Sequence, residues 1–465
     1  MMTDFHNHPY DAIAIGESET ATRSISATEV EGLAMAAGEV DPFHLEGSNP
    51  ARGEALAAPG AAAIAMISGM LLRRLPGPGS QIVATQFHYA GTLGAGDTLT
   101  ATVTAKTKHD RGHRIDFACR CVNQRGETLV EGVATVAAPT ALVKYSNVAT
   151  PEVILRRNDG FTRLLAQCQG LPPVTCAIVH PCDRDSLLGP IEAARRGLII
   201  PVLVGPEAKI RAVAKAEGAD IAPYRIVGTE HSAAAADRAV AMARAGEVES
   251  LMKGSLHTDE LMGAVVSSAT GLRTARRISH VYVMDVPAYP KLLLVTDAAV
   301  NIFPDLQQKV DIVQNAIELA RVLGIDKPKV AILSAVETIN PKIQSTLDAA
   351  ALCKMSDRGQ ISGGILDGPL AFDNAISAEA ARAKKIVSPV AGHADILLVP
   401  DLEAGNMLAK QLQYLAGADA AGIVVGARVP IVLTSRADSI RTRLASIAVL
   451  KLLAHSRRPQ GPKGD

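Results

Sequence analysis

A change of hydrophobic period close to residue 150 limits this chain more than any other feature. From about 81 to 139, apolar and polar residues alternate, as in Thr98-Leu99-Thr100-Ala101-Thr102-Val103-Thr104-Ala105 and Ile115-Asp116-Phe117-Ala118-Cys119-Arg120-Cys121. Turn-like segments such as Gly94-Ala95-Gly96-Asp97, Asp110-Arg111-Gly112 and Gln124-Arg125-Gly126 interrupt the alternation. Period two puts every second side chain on one buried face, the pattern of an antiparallel meander. Two helix-like stretches, roughly 27–38 and 60–74, come first, so an α+β domain is expected. Beyond Val143-Lys144-Tyr145 and Pro151 the apolar runs become short and continuous: Thr175–Val179, Pro201–Val204, Leu292–Val295, Val330–Leu333, Ile396–Val399 and Ile431–Leu433. Helical segments such as 232–246, 307–323 and 439–455 separate them. Continuous apolar strands alternating with helices predict mainly parallel sheet covered on both faces, here folded as two lobes around a cleft.

A chain of 465 residues suits two or three domains rather than one core. Lys+Arg and Asp+Glu number 47 each, so no net field draws in nucleic acid or an anionic membrane. An anionic ligand must then be held by local Arg and Lys. Aromatic residues are only 3%, which argues against base-stacking platforms. None of the six cysteines forms a CxxC pair, so free buried thiols in a reducing compartment are expected, with no metal site. The opening MMTDFHNHPYDAIAIG has no secretory pattern, and the weakly polar run Gly60–Leu72 is too short to span a bilayer. The expected setting is cytoplasmic. His6 and His8 have metal-like spacing but read as part of a terminal tail.

Three segments share the order strand, polar turn, helix: Leu251-Met252-Lys253-Gly254-Ser255-Leu256-His257-Thr258, Pro400-Asp401-Leu402-Glu403-Ala404-Gly405-Asn406 and Thr434-Ser435-Arg436-Ala437-Asp438-Ser439. Ligands bind at the carboxyl ends of parallel strands, where helix N-termini present unpaired N–H groups. Lys253 and Arg436 lie inside such turns, and Arg273, Arg276 and Arg277 cluster ahead of Ser279-His280. Ser, Thr and Asp before a helix also serve as plain N-caps, so spacing alone names no reaction. His180, Cys182 and His257 flank the same strand ends and read as packing or cleft-lining residues. No GxGxxG follows a strand and no GxxxxGK[ST] is present, which disfavours a dinucleotide fold or a P-loop.

Five blocks resemble the phosphate acetyl/butyryltransferase family, in that family's order: LMKGSLHTDELMGAV (251–265), TGLRTARRISHVYVMDVP (270–287), LDGPLAFDNAIS (366–377), VPDLEAGNMLAKQL (399–412) and VPIVLTSRADS (429–439). The resemblance implies exchange of a short acyl group between coenzyme A and inorganic phosphate, with both as substrates and no permanently bound cofactor. It implies two α/β lobes of isocitrate/isopropylmalate dehydrogenase-like architecture, in a homodimer or larger homo-oligomer. Ser435 and Arg436 match the family's catalytic Ser-Arg pair. Lys253, Gly254, Ser255, Arg273, Arg276, Gly405, Asn406 and Lys410 are the phosphate- and CoA-binding candidates in the matching blocks. Acetyl-type members carry an Asp where this chain has Thr442, and an Arg where it has Tyr414. Both departures look more like the butyryl type and leave the general base unassigned. Asp438 reads as an N-cap.

Residues 20–140 resemble the MaoC-type (R)-specific enoyl-CoA hydratases, which have the hotdog fold. The resemblance rests on Ala37-Gly38-Glu39-Val40-Asp41-Pro42-Phe43-His44, Ala65-Met66-Ile67-Ser68 and Leu75-Pro76-Gly77-Pro78-Gly79. The family motif Gly-Asp-x-Asn-Pro-x-His uses its Asp and His to activate the water that adds to the double bond; Glu39 and His44 hold those places. Here Glu39 replaces the Asp, Asp41 the Asn, and Pro59-Gly60 a frequent His-Gly. An acyltransferase whose hotdog domain only binds acyl-CoA or dimerises is the alternative to a second activity. A two-lobed, metal- and NAD(P)-dependent dehydrogenase is a more distant one. The expected layout is an N-terminal tail (1–19), a hotdog domain (20–143), a linker (144–155), the acyltransferase domain (156–456) and a frayed tail (457–465).

Overall fold

The computed structural model describes residues 2–26, 29, 32–33, 59–91, 96–149, 160–433 and 439–458. Two compact units divide the chain, Met1–Leu155 and Arg156–Asp465. The first unit contains seven described strands: β1 (Met2–His6), β2 (Ser18–Ser24), β3 (Gln81–Tyr89), β4 (Thr98–His109), β5 (Arg114–Val122), β6 (Thr128–Ala137) and β7 (Lys144–Ala149). β2 to β6 form one antiparallel sheet in the order β2-β4-β5-β6-β3. Its alternation works as the sequence predicts. Leu99, Val103, Ile115, Phe117, Ala134 and Val136 turn inward and are fully buried. They pack with Ala63, Ile67 and Leu71 of the helix Pro59–Arg73, whose spacing of four lines up one face. The intervening hydroxyl side chains pair across β2 and β4: Ser18 with Thr104, Thr20 with Thr102, Thr22 with Thr100 and Ser24 with Thr98.

Residues 2–19 are not the tail that their polarity suggested. β1 pairs antiparallel with β7, so part of the expected linker is also strand. Asn7, 1% exposed, accepts from the Val143 N–H at 2.8 Å and donates to the Ala141 carbonyl at 3.0 Å. A short polar strand carries too little apolar patterning to be seen before its partner is known. Cys119 and Cys121 are buried, and burial pushes their thiols up to about 12 and about 11.

The second unit holds β8 (Val174–Val179), β9 (Ile199–Gly205), β10 (Arg225–Gly228), β11 (Ser250–Lys253), β12 (Ser279–Asp285), β13 (Leu293–Thr296), β14 (Lys329–Leu333), β15 (Ile365–Leu370), β16 (Ile396–Leu398), β17 (Asp419–Val425) and β18 (Ile431–Val432). They make one eleven-stranded sheet in the order β10-β9-β8-β11-β18-β17-β12-β13-β16-β14-β15. β8, β9, β10, β11 and β18 are mutually parallel, as are β13, β14, β15 and β16. Between the two sets, β18–β17, β17–β12 and β12–β13 are each antiparallel. Three reversals make the second parallel set run opposite to the first.

Both faces of this sheet are covered, and successive residues enter different cores. Cys176 and Ile178 of β8, Val281 and Val283 of β12, and Ile396 and Leu398 of β16 all join one core, which also includes the helix Ile440–Arg457. On the opposite face the core is split. Ala177, Val179, Val424 and Ile431 belong to one cluster, and Met284, Leu293, Val295 and Leu397 to another. Among the described residues no helix is long and apolar enough to cross a membrane.

Candidate active site

The split face is where the family-like blocks lie. At the end of β11, Lys253 is 5% exposed. The next two N–H groups continue toward β8, Gly254 donating to Val179 and Ser255 to His180, both at 2.9 Å. A Cβ on Gly254 would stand 2.4 Å from the Val179 carbonyl oxygen, so this crossing admits only glycine. The Ser255 hydroxyl donates to the His180 carbonyl at 2.8 Å, accepts from the Cys182 N–H at 3.1 Å and lies 3.2 Å from His180 Nδ1. Gly254 and Ser255 therefore fasten two strand ends together; the Ser255 hydroxyl, expected to meet a ligand, is occupied by the turn itself. Cys182 beside it is no thiolate, because burial raises its pKa to about 11. His257 is exposed at the start of the helix Thr258–Val266, its N–H donating to Glu260 at 2.9 Å.

A second cluster forms where β12 starts and β13 ends. Asp297 follows β13 directly and is 2% exposed. One carboxylate oxygen accepts from the Ala299 and Val300 N–H groups at 2.9 and 3.0 Å. The other accepts from the His280 N–H at 3.1 Å and from Asn301 Nδ2 at 2.6 Å. Burial raises the Asp297 pKa, and these bonds work against that rise. The His280 ring is 1% exposed, meets Tyr282 edge to face at 4.5 Å, and its Nδ1 is buried with no hydrogen-bond partner among the described residues. Burial lowers its pKa to about 3, so the imidazole is neutral at physiological pH.

The same loop seats the helix Leu402–Tyr414. Asn406 donates to the Ala298 carbonyl at 3.2 Å, and a Cβ on Gly405 would lie 2.8 Å from the Asp297 carbonyl. Gly405 and Asn406 are thus packing and docking groups for the helix, and Lys410 on it is exposed. The three arginines ahead of β12 differ in employment. Arg276 pairs with Glu318 at 2.6 Å, Arg273 is exposed, and Arg277 donates through Nε to Asn301 Oδ1 at 2.7 Å. Sequence reading singled out Arg273 and Arg276 and passed over Asp297 and Asn301. An Asp and an Asn four apart straight after a buried strand were the available signal. A cavity of about 440 Å³ near Glu318, bounded also by Asn315, Arg321, Asp326 and Arg457, is lined by none of the predicted site residues that are among the described ones.

Ser435, Arg436 and Asp438 lie outside the described residues, as do Glu39, Asp41 and His44 of the first unit. The boundaries of the Ser-Arg segment are described. Leu433 before it is 8% exposed. After it, Ser439 rather than Asp438 caps the helix Ile440–Arg457, accepting from the Thr442 N–H at 3.2 Å. Thr442, at the acetyl-type Asp position, is 6% exposed and its hydroxyl lies 3.2 Å from that of Ser439. A side chain so placed completes a helix cap and has no carboxylate to offer a thiol. Tyr414 is 69% exposed at the end of its helix.

Both units are similar to known protein families. Residues 232–450 match the family model of phosphate acetyl/butaryl transferase, and residues 14–132 match a FAS1-like dehydratase domain region. The chain is 65% identical to a phosphate acetyltransferase of Rhizobium meliloti over 298 residues, 64% of this chain and 94% of that one. It is 44% identical to a phosphate butyryltransferase of Clostridium acetobutylicum, covering 64% of this chain and 99% of the other. Among solved structures it is similar to a branched-chain phosphotransacylase from Enterococcus faecalis V583. That match has 31% identity and a TM-score of 0.54, over 61% of this chain and 99% of that one.

Proposed function

The chain belongs to the phosphate acetyl/butyryltransferase family, and from that premise we propose that its second unit exchanges a short acyl group between coenzyme A and inorganic phosphate. A phosphate oxygen attacks the thioester carbonyl carbon, the C–S bond breaks, and the CoA thiolate leaves with the acyl phosphate as co-product. The observation that carries this reading is 65% identity over nearly the whole length of a phosphate acetyltransferase. Ser435 and Arg436 are the catalytic pair in this proposal, with Arg436 gripping phosphate and opposing charge on the carbonyl oxygen. Lys253 and Arg273 add positive charge. Two lobes with a cleft between them are part of the same reading, supported by the split core on one sheet face and the reversed strand direction across it. So is a homo-oligomeric assembly in the cytoplasm.

For the first unit we propose (R)-specific hydration of an enoyl-CoA by Glu39 and His44, on the strength of the dehydratase-type match and of the five-stranded sheet packed against one helix. A non-catalytic acyl-CoA-binding module is the rival reading, favoured by the Asp-to-Glu replacement, since a shift of about 1 Å costs on the order of 100-fold. One assay series tests both proposals. CoA-thiol release from acetyl-, propionyl- and butyryl-CoA is expected only with phosphate present, and the best substrate reports the acyl length accepted. No release from any of the three by folded protein overturns the transferase assignment. Binding of crotonyl-CoA without hydration selects the rival for the first unit.

A further inference from the structure

We propose that the outer edge of the Arg277 guanidinium grips a phosphate group of the substrates, and that Asn301 and Asp297 are the residues that position it. The inference deepens the acyl-transfer reading and rests on it. Three adjacent structural facts carry it. Asp297 has four donors on its two carboxylate oxygens, one of them Asn301 Nδ2 at 2.6 Å, and that amide also donates to the Ile278 carbonyl at 3.0 Å. Both residues are 2% exposed, so the Asn301 side chain has one orientation and its Oδ1 points to Arg277 Nε at 2.7 Å. The Arg277 backbone is clamped as well, its N–H on Asp311 at 2.9 Å and its carbonyl receiving Asn315 Nδ2 at 2.9 Å.

A guanidinium has five N–H donors, and here one is used to fix the plane. The four Nη donors form no hydrogen bond or ion pair with any described residue, while Arg277 itself is exposed. This differs from Arg276, whose Nη1 is held by Glu318 at 2.6 Å. A surface arginine with no task gains nothing from a buried Asp–Asn relay, and such a relay leaves a preorganised fork matched to two phosphate oxygens. Asp297 also ties this relay to the helix Leu402–Tyr414, through the Ala298 carbonyl on Asn406. The arginine is thereby fixed to two of the segments that resemble the transferase family.

Phosphate could come from the inorganic co-substrate or from the nucleotide end of CoA, and substrate kinetics separate the two. Arg277→Gln is made in the full chain and assayed with acetyl-CoA and with acetyl-pantetheine, which has the thioester but no nucleotide phosphates. A roughly 10- to 100-fold rise in KM is expected, the effect of losing hydrogen bonds to a charged group. A rise in KM for phosphate with both thioesters identifies the inorganic anion. A rise for acetyl-CoA alone, with acetyl-pantetheine unmoved, identifies the CoA phosphates. Asn301→Ala should raise the same KM, and the double variant should be no worse than Arg277→Gln, because the two act through one guanidinium. Arg277→Lys should not restore the KM, since a lysine has no Nε to seat on Asn301. Both KM values within twofold of wild type in Arg277→Gln overturn the proposal. Calorimetric binding of CoA and of phosphate distinguishes the failures: an inactive wild type whose binding still weakens in Arg277→Gln loses the reaction but keeps the grip.

Discussion

The two units are stabilised by different means. Among described residues of the first unit, Asp97 is the one Asp, Glu, Lys, Arg or His side chain that is buried, and its core is mostly apolar and includes Phe117. The second unit buries Lys253, His280, Asp285, Asp297, Lys309, Asp348, Asp395, Arg443 and Lys451. Removing charge from water costs several kcal/mol per ion unless each group is paired or hydrogen-bonded. Lys309 meets that cost by bonding Asp348 at 2.7 Å, and Lys451 by donating to the Cys168 and Gly197 carbonyls at 3.2 and 3.0 Å. The lesson is that an apolar core specifies a shape, whereas a core with oriented charge also specifies where hydrogen-bonding groups point. The unit whose family-like blocks are intact is the one built the second way.

The largest effects should separate the two designs directly. Asp348→Ala strands the Lys309 ammonium and should destabilise by about 3–5 kcal/mol, with Lys309→Met/Asp348→Leu recovering most of that loss. Phe117→Ala should destabilise the first unit by a similar ~3–5 kcal/mol through a cavity, with no second substitution of opposite charge to rescue it. Denaturant unfolding of the variants checks both, and an additive Lys309/Asp348 pair would break the contrast. Next comes function. Arg436→Ala should lower phosphate-dependent turnover roughly 30- to 1,000-fold and leave crotonyl-CoA hydration untouched. Glu39→Gln should do the reverse, and loss of both activities in either variant would mean the two sites are not independent.

Acid should also act on the units unequally. The unfolded His280 takes up a proton below about pH 6.5. Folded His280 stays neutral down to about 3. Protons therefore favour the unfolded state, and this contribution to stability, full above about 6.5, is lost as pH falls toward 3. Asp297, with its pKa raised by burial, acts in the opposite sense, favouring the folded state as pH falls through its own titration. Calorimetry at descending pH should show the second unit's transition falling less in His280→Gln than in wild type; equal slopes would remove His280 from the account. The smallest effect belongs to the cap: Ser439→Ala should cost about 1 kcal/mol and shift the start of the helix that follows the Ser-Arg segment.

Much of this was legible before any coordinates. Period two located β5 within a residue at each end and the start of β4, though β4 runs four residues past the alternation to His109, because a half-buried strand writes its buried face into alternate positions. The apolar runs marked β8, β9, β13, β14, β16 and β18 for the complementary reason, burial on both faces. Strand direction was not legible. Residues 279–285 and 419–425 are as buried as their parallel neighbours, and nothing in composition records which way a buried strand runs. The site divided along the same line. Five blocks announced a transferase, yet neighbouring arginines look alike in sequence, and only their partners Glu318 and Asn301 tell Arg276 from Arg277.

The pairing of β1 with β7 has a mechanical consequence. Met2 lies opposite Ala149 and His6 opposite Lys144, so the outer ends of the two strands are neighbours. Tension applied between the start of the chain and residue 150 meets this ladder end-on and opens it one rung at a time instead of shearing all rungs together. Asn7, bridging Val143 and Ala141 just beyond the last rung, is the catch that such a pull reaches next. The clasp thus works as a fuse: it yields before force is transmitted to the five-stranded sheet behind it.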